Sequence, residues 1–184
     1  MDETFLNKLN EILDDSLNEI TKKTDAQVES FFDVYGVPYD ECYAYFLKHH
    51  GNNYIKDDYW FLLKNEAGDT EQYMVDMLFG LQKCSGNIMN EMKEWEDVVQ
   101  DDLVCIADRP GGDLVCMDKE DGSIWFWFHD VADDNLVMVA DSFEEFICGF
   151  SYEEPANDNN DEPEMSLSPE LDKLLREKAQ EYTK

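Results

Sequence analysis

Apolar residues recur at helical spacing from the start of the chain. Phe5, Leu9, Ile12, Leu13, Leu17 and Ile20 form one stripe across residues 4–22, which predicts an amphipathic helix. Thr24 with Gln27 has the form of a capping box opening a second helix, which carries Val28, Phe31, Phe32 and Tyr35 and closes at Gly36. Val37-Pro38 leads into a third helix, Tyr39 to His50, stopped by Gly51. The runs YWFLLK (59–64) and EQYMVDMLF (71–79) flank EAGD and read as a hairpin. A fourth helical stripe, Ile88, Met89, Met92, Trp95 and Val99, spans 87–99.

The period changes after residue 102. LVCIA, DLVCM, SIWFWF and NLVMVA are short β-rich runs, separated by RPGG, KEDG and DVADD. Those separators are turn chemistry, so the runs predict an antiparallel meander. Ser142 with Glu145 then caps a short helix whose buried side is Phe143, Phe146, Ile147 and Phe150. Helices first, strands next and a closing helix give an α+β domain over residues 1–150, with N-terminal helices packed on a mostly antiparallel sheet. Residues 151–167, including EEPANDNNDEPE, are expected to be an acidic flexible linker. Ser168-Pro169-Glu170 opens a C-terminal amphipathic helix, 168–184, with Leu171, Leu174, Leu175 and Tyr182 on one stripe.

Charge narrows the partner. The chain has 44 Asp+Glu against 14 Lys+Arg, a formal net charge of -30. The excess lies in the body, since residues 1–150 hold 34 acids and 10 bases. Phosphate recognition needs clustered Lys and Arg, so nucleic acid is not expected, nor is an anionic membrane surface. A basic protein is the complementary partner. The acidic opening MDETF is unlike a signal peptide, and no stretch approaches the ~20 apolar residues that span a bilayer. Five cysteines without C-x-x-C spacing suit a reducing cytoplasm.

The candidate chemistry is sparse. His49-His50 ends a helix, where a cation favours the C-terminus, and no spacing supplies further metal ligands. Asp158 to Glu162 lacks the glycine and glutamate of a calcium loop. RPGGD leads into a strand rather than a helix N-terminus, and there is no G-x-S-x-G. His129 and Asp130 are neighbours on a strand and point to opposite faces, so they do not form a base with its orienting acid. No cofactor, metal or catalytic residue is expected. In GSIWFWFHD (122–130), Ile124, Phe126 and Phe128 share one face and Trp125, Trp127 and His129 the other. The second face is either covered by another layer or used as a platform.

Three elements in order resemble the signature region of the SUKH superfamily. Gly111, Gly112 and Asp113 match its first element. Ile124, Trp125, Phe126, Trp127, His129 and Asp130 match the second, and Ala140, Ser142, Phe143, Glu144, Glu145 and Phe146 match the third. Val37-Pro38, Phe46-Leu47 and Gly51 resemble an upstream family segment, while Phe128 stands where the family usually has an acid. The resemblance implies an α+β domain and a bacterial immunity protein that neutralises a cognate polymorphic or contact-dependent toxin, often a nuclease. A basic nuclease domain would be complementary to this acidic body. The other reading it leaves open is a scaffold or regulatory member with no toxin partner. The expected contact surface is Asp113, Asp118, Glu120, Asp121, Trp125, Trp127, His129, Asp130, Asp133 and Asp134: turn acids around aromatic anchors, on a monomer or weak homodimer.

Overall fold

The computed structural model describes residues 2–14, 22–64 and 68–153. Helix α1 runs Glu3–Ile12 and buries Phe5, Leu9 and Ile12, with Leu13 also buried just beyond its end. The rest of that expected stripe, Leu17 and Ile20, lies outside the described residues, as do the C-terminal helix and almost all of the acidic linker. Helix α2, Asp25–Tyr35, has its full capping box: Gln27 N–H donates to Thr24 Oγ1 at 3.3 Å and Thr24 N–H to Gln27 Oε1 at 3.0 Å. It ends at Gly36, whose φ of 71° is the left-handed conformation a helix terminus uses. Helix α3 is Glu41–His49, shorter than expected, because Asp40 caps it by accepting from Tyr43 N–H at 2.7 Å. His50 is its C-cap, as the sequence indicated.

The strands form two sheets. The larger has the order β1 (Asn53–Tyr54), β4 (Met77–Leu78), β5 (Leu103–Asp108), β6 (Leu114–Asp118), β7 (Ile124–Trp127) and β8 (Leu136–Ala140), antiparallel throughout. Its last four strands are the expected meander. The smaller has the order β3 (Thr70–Tyr73), β2 (Tyr59–Lys64) and β9 (Phe150–Tyr152). The hairpin expected over 59–79 is therefore corrected in its second arm. The arm leaves β2 after Tyr73 and enters the larger sheet at Met77, where Asp108 draws it in: Met77 N–H donates to Asp108 Oδ1 at 2.8 Å, and Asp76 N–H to the Asp108 carbonyl at 3.0 Å. Strand β9 was not legible as a strand. Its Ser151 and Tyr152, expected in the linker, pair with Trp60 and Tyr59.

Helix α4 is Ile88–Glu94, and the chain turns at Trp95 instead of continuing to Val99. Helix α5, Phe143–Cys148, is capped by Ser142 Oγ accepting from Glu145 N–H at 3.2 Å; the Glu145 carboxylate reaches back to Asp141 N–H at 2.8 Å. The core lies between the larger sheet and α1, α3 and α5, around Tyr43, Phe46 and Phe143, with Phe143 4.8 Å from Tyr43 and 5.8 Å from Phe46. A second layer covers the other face, where Trp95 packs on Trp127 at 6.1 Å and Met92 Sδ accepts from Cys105 N–H at 3.1 Å. Buried on both faces, β5 and β6 read as near-continuous apolar runs. Among the described residues no helix is long and apolar enough to cross a membrane.

Candidate partner-binding site

Arg109 organises one end of the meander. It precedes the single 3-10 turn Pro110–Gly112, where Gly111 and Gly112 take φ of 87° and 98°, a region costly for any side chain with a Cβ. That tight turn brings Asp113 back beside Arg109, with Arg109 N–H donating to the Asp113 carbonyl at 2.9 Å. Arg109 is 8% exposed, and its guanidinium is walled in by aromatic rings. It stacks over Phe126 at 4.3 Å, Tyr73 at 5.0 Å and Phe128 at 5.2 Å, donates to the Met74 carbonyl at 3.1 Å, and lies 3.4 Å from Asp113 Oδ2. Burial pulls its pKa below the ordinary arginine value while Asp113 opposes that. Phe128, the departure from the family pattern, is one wall of this cage. The signal for it was present in the sequence: one arginine among 13 acids in residues 101–150, two residues before a pair of glycines.

Asp113 carries the chain of contacts outward. Its Oδ1 accepts from the backbone N–H of His129 at 3.2 Å and lies 2.9 Å from His129 Nδ1. His129 therefore pairs with Asp113, 16 residues earlier across β6 and β7, and not with adjacent Asp130. Ligand atoms of Asp113, His129 and Asp130 lie within 4.8 Å of one another. Both Asp113 oxygens are already engaged, however, and the Arg109 cation beside them repels a metal ion. The arrangement is a clamp that fixes the β5–β6 and β7–β8 turns together, and it presents no activated nucleophile.

The meander divides the ten expected contact residues between its two ends. Asp113, His129, Asp130, Asp133 and Asp134 gather at the clamp end. Asp118, Glu120 and Asp121 lie in the β6–β7 turn at the other end of the strands, so the turn acids do not make one cluster. There Asp118 Oδ1 accepts from Glu120 N–H at 2.6 Å and Asp121 Oδ1 from Ser123 N–H at 2.9 Å, which holds the Asp121 carboxyl below its usual range through its bonds to Ser123. The tryptophans separate too. Trp127 is 4% exposed beneath Trp95, so it belongs to the core and is not available as a contact anchor. Trp125 is half-buried, donates Nε1–H to Ser123 Oγ at 2.8 Å and pairs in register with Met138.

Sequence reading missed the edge beside them. Strand β8 ends the larger sheet and has no strand on its outer side among the described residues. Val137 and Met138 are 37% and 42% exposed, and Val131 in the preceding turn is 41% exposed. Exposed Asp130, Asp133 and Asp134 stand in that same turn, Asp134 with a φ of 57°. Gln100 Nε2 donates to Asn135 Oδ1 at 3.3 Å, tying the loop after α4 to the start of β8. The result is an apolar strip at a sheet edge left open among the described residues, bordered by carboxylates.

Comparison with known proteins agrees with this architecture. The chain is 26% identical over 144 residues to the SPbeta prophage-derived uncharacterized protein YokK of Bacillus subtilis (strain 168), an alignment covering 77% of this chain and 63% of that protein. Residues 22–149, from the start of α2 to the end of α5 and including the whole meander, match the SMI1 / KNR4 family (SUKH-1), and the chain belongs to that family.

Proposed function

We propose that this chain is an immunity protein that works by binding, not catalysis, and neutralises a cognate toxin with a basic domain, such as a nuclease. The observation that carries this is the apolar edge of β8, unpaired among the described residues and flanked by Asp130 and Asp133. An exposed edge strand is a template for a partner's main chain, and native proteins commonly protect such edges against indiscriminate pairing. Here the guard is carboxylate, so it repels acidic chains, including other copies, and admits a basic one. Trp125 and Met138 supply the apolar centre, and Arg109, Asp113 and His129 hold the turn in place. Family membership supports the reading, as does the prophage origin stated for the relative. The setting is cytoplasmic, where the five cysteines remain thiols; three of them are buried.

The test is co-purification of the full chain with a candidate toxin encoded beside it in its source genome, followed by titration of variants. Met138→Lys and the pair Asp130→Lys with Asp133→Lys should each weaken binding by about 1 kcal/mol or more. Asp134 is left untouched because its left-handed backbone favours a short polar side chain. Unchanged affinity in both variants, with the fold intact by circular dichroism, would remove β8 from the interface. Failure of the chain to protect cells from the toxin would remove the immunity reading itself.

A further inference from the structure

A second surface shares no residue with β8 and has the opposite chemistry. A groove of about 860 Å3 lies between α2 and α4. Each helix gives it three residues at the same spacing: Ala26, Gln27 and Ser30 from α2, and Met89, Asn90 and Lys93 from α4. Lys23 stands ahead of α2, and Leu81, Lys83 and Cys84 come from the loop leading into α4. Among the described residues no carboxylate lines the groove, in a chain where 44 of 184 residues are acids. Three lysines line it, and none forms an ion pair among the described residues. Met89 is 51% exposed beside them.

The groove wall is held in position. Asn52, only 3% exposed, donates Nδ2–H to the Ser85 carbonyl at 2.6 Å and accepts from Gln82 N–H at 3.0 Å. Asn87 donates to the Gln82 carbonyl at 2.7 Å. At Gly80 an added Cβ would meet the Gly51 backbone at 2.5 Å, so the loop bearing Lys83 is seated against the chain after α3. A site fixed before binding loses less entropy on association.

We propose that this groove binds a short acidic peptide segment of a protein partner, its carboxylates on Lys23, Lys83 and Lys93 and an apolar side chain against Leu81 and Met89. Nucleic acid does not suit the site, because a polyanion extends beyond the groove into the field of a body with net charge -30. A lone phosphate would leave the Leu81–Met89 wall unused and finds no arginine fork among the described residues here. A segment with a few carboxylates between apolar residues uses both halves of the lining. The site stands independently of the immunity reading, since it involves different residues and a partner charge of the opposite sign.

The probe is a short fluorescein-labelled peptide alternating glutamate with leucine, followed by anisotropy on the full chain. Binding should weaken about tenfold or more in the Lys83→Glu, Lys93→Glu double variant, both positions being exposed, and weaken further with salt. Met89→Ser should weaken it in a salt-independent way. Circular dichroism and the melting temperature of these variants should match the parent. Equal binding by the glutamine counterpart of the peptide, or undiminished binding by the charge-reversed variant, would overturn the proposal. Complete competition by inorganic phosphate at low millimolar concentration would also overturn it, by assigning the groove to small anions. Absence of peptide binding up to millimolar concentration would do the same.

Discussion

Trp127 and Trp125 sit two residues apart on one strand face, yet their environments differ because Trp95 covers only the first. Trp127 Nε1 is buried with no acceptor among the described residues. Trp127→Ala should therefore cost about 3–5 kcal/mol in denaturant unfolding. Trp127→Phe, which also discards the unsatisfied N–H, should cost well under half of that. Equal losses in the two variants would mean that the indole makes a contact beyond packing. Alternation along GSIWFWFHD told which side chains share a face; it carried no information about what lies over that face. Trp127 was legible as half of an alternation and illegible as core, because its cover comes from a turn some 30 residues earlier.

Asp108 offers a second test at the same scale. Burial holds its carboxyl above the ordinary aspartate range, with Asp76 adding to the shift and the Met77 N–H opposing it. The folded state thus keeps this proton to higher pH than the unfolded chain does. Its stabilising share is complete below the ordinary value of about 4 and is lost as pH rises through the raised value. Asp108→Asn retains the acceptor for Met77 N–H and never ionises. It should be more stable than the parent at pH 7, with the difference closing as the pH approaches about 4. A difference independent of pH would place the effect on hydrogen bonding instead.

At the scale of elements, caps and turns were the most readable features. Thr24 with Gln27, Gly36, Ser142 with Glu145, and the glycines after Arg109 each sit where the sequence placed them, because capping and positive φ are decided within a few residues. Pairings across long separations were not readable. Nothing near Ser151 signals that Tyr59 and Trp60 await it, and nothing near Val75 signals a change of sheet. Strand β9 includes Phe150, 1% exposed and packed on Phe61 at 5.6 Å and Phe146 at 5.3 Å. A chain ending at Gly149 should accordingly lose about 3–5 kcal/mol relative to one ending at Glu153, the range for deleting a buried phenylalanine. Matching thermal melts for the two would show that β9 contributes little. Of the proposed contact surface, the acids and Trp125 stand out in the sequence by composition, whereas the outer position of β8 follows only from strand order.

For the whole molecule the governing quantity is charge. A net -30 on 184 residues repels itself in the folded state, and added salt screens that repulsion. Thermal stability should rise as ionic strength goes from about 0.01 to 0.15 M, where the Debye length falls from about 30 to 8 Å. Association with the proposed basic partner should slow over the same range while dissociation changes less. Stopped-flow rates that ignore salt would exclude electrostatic steering by the acidic body.

The smaller sheet sets an order of events. Strand β2 is flanked by a near neighbour, β3, and by β9, which lies some 90 residues further along, as in the pairing of Phe61 with Phe150. During synthesis the hairpin forms early and leaves one row of β2 backbone groups open until the far strand emerges. Helix α1 waits similarly for Phe143 of α5, its partner at 6.3 Å. Closure of such long loops is slow relative to local helix formation, and it comes last. With its first helix and β2 both paired to segments near residue 150, the domain is expected to complete its fold only after nearly all of it has left the ribosome.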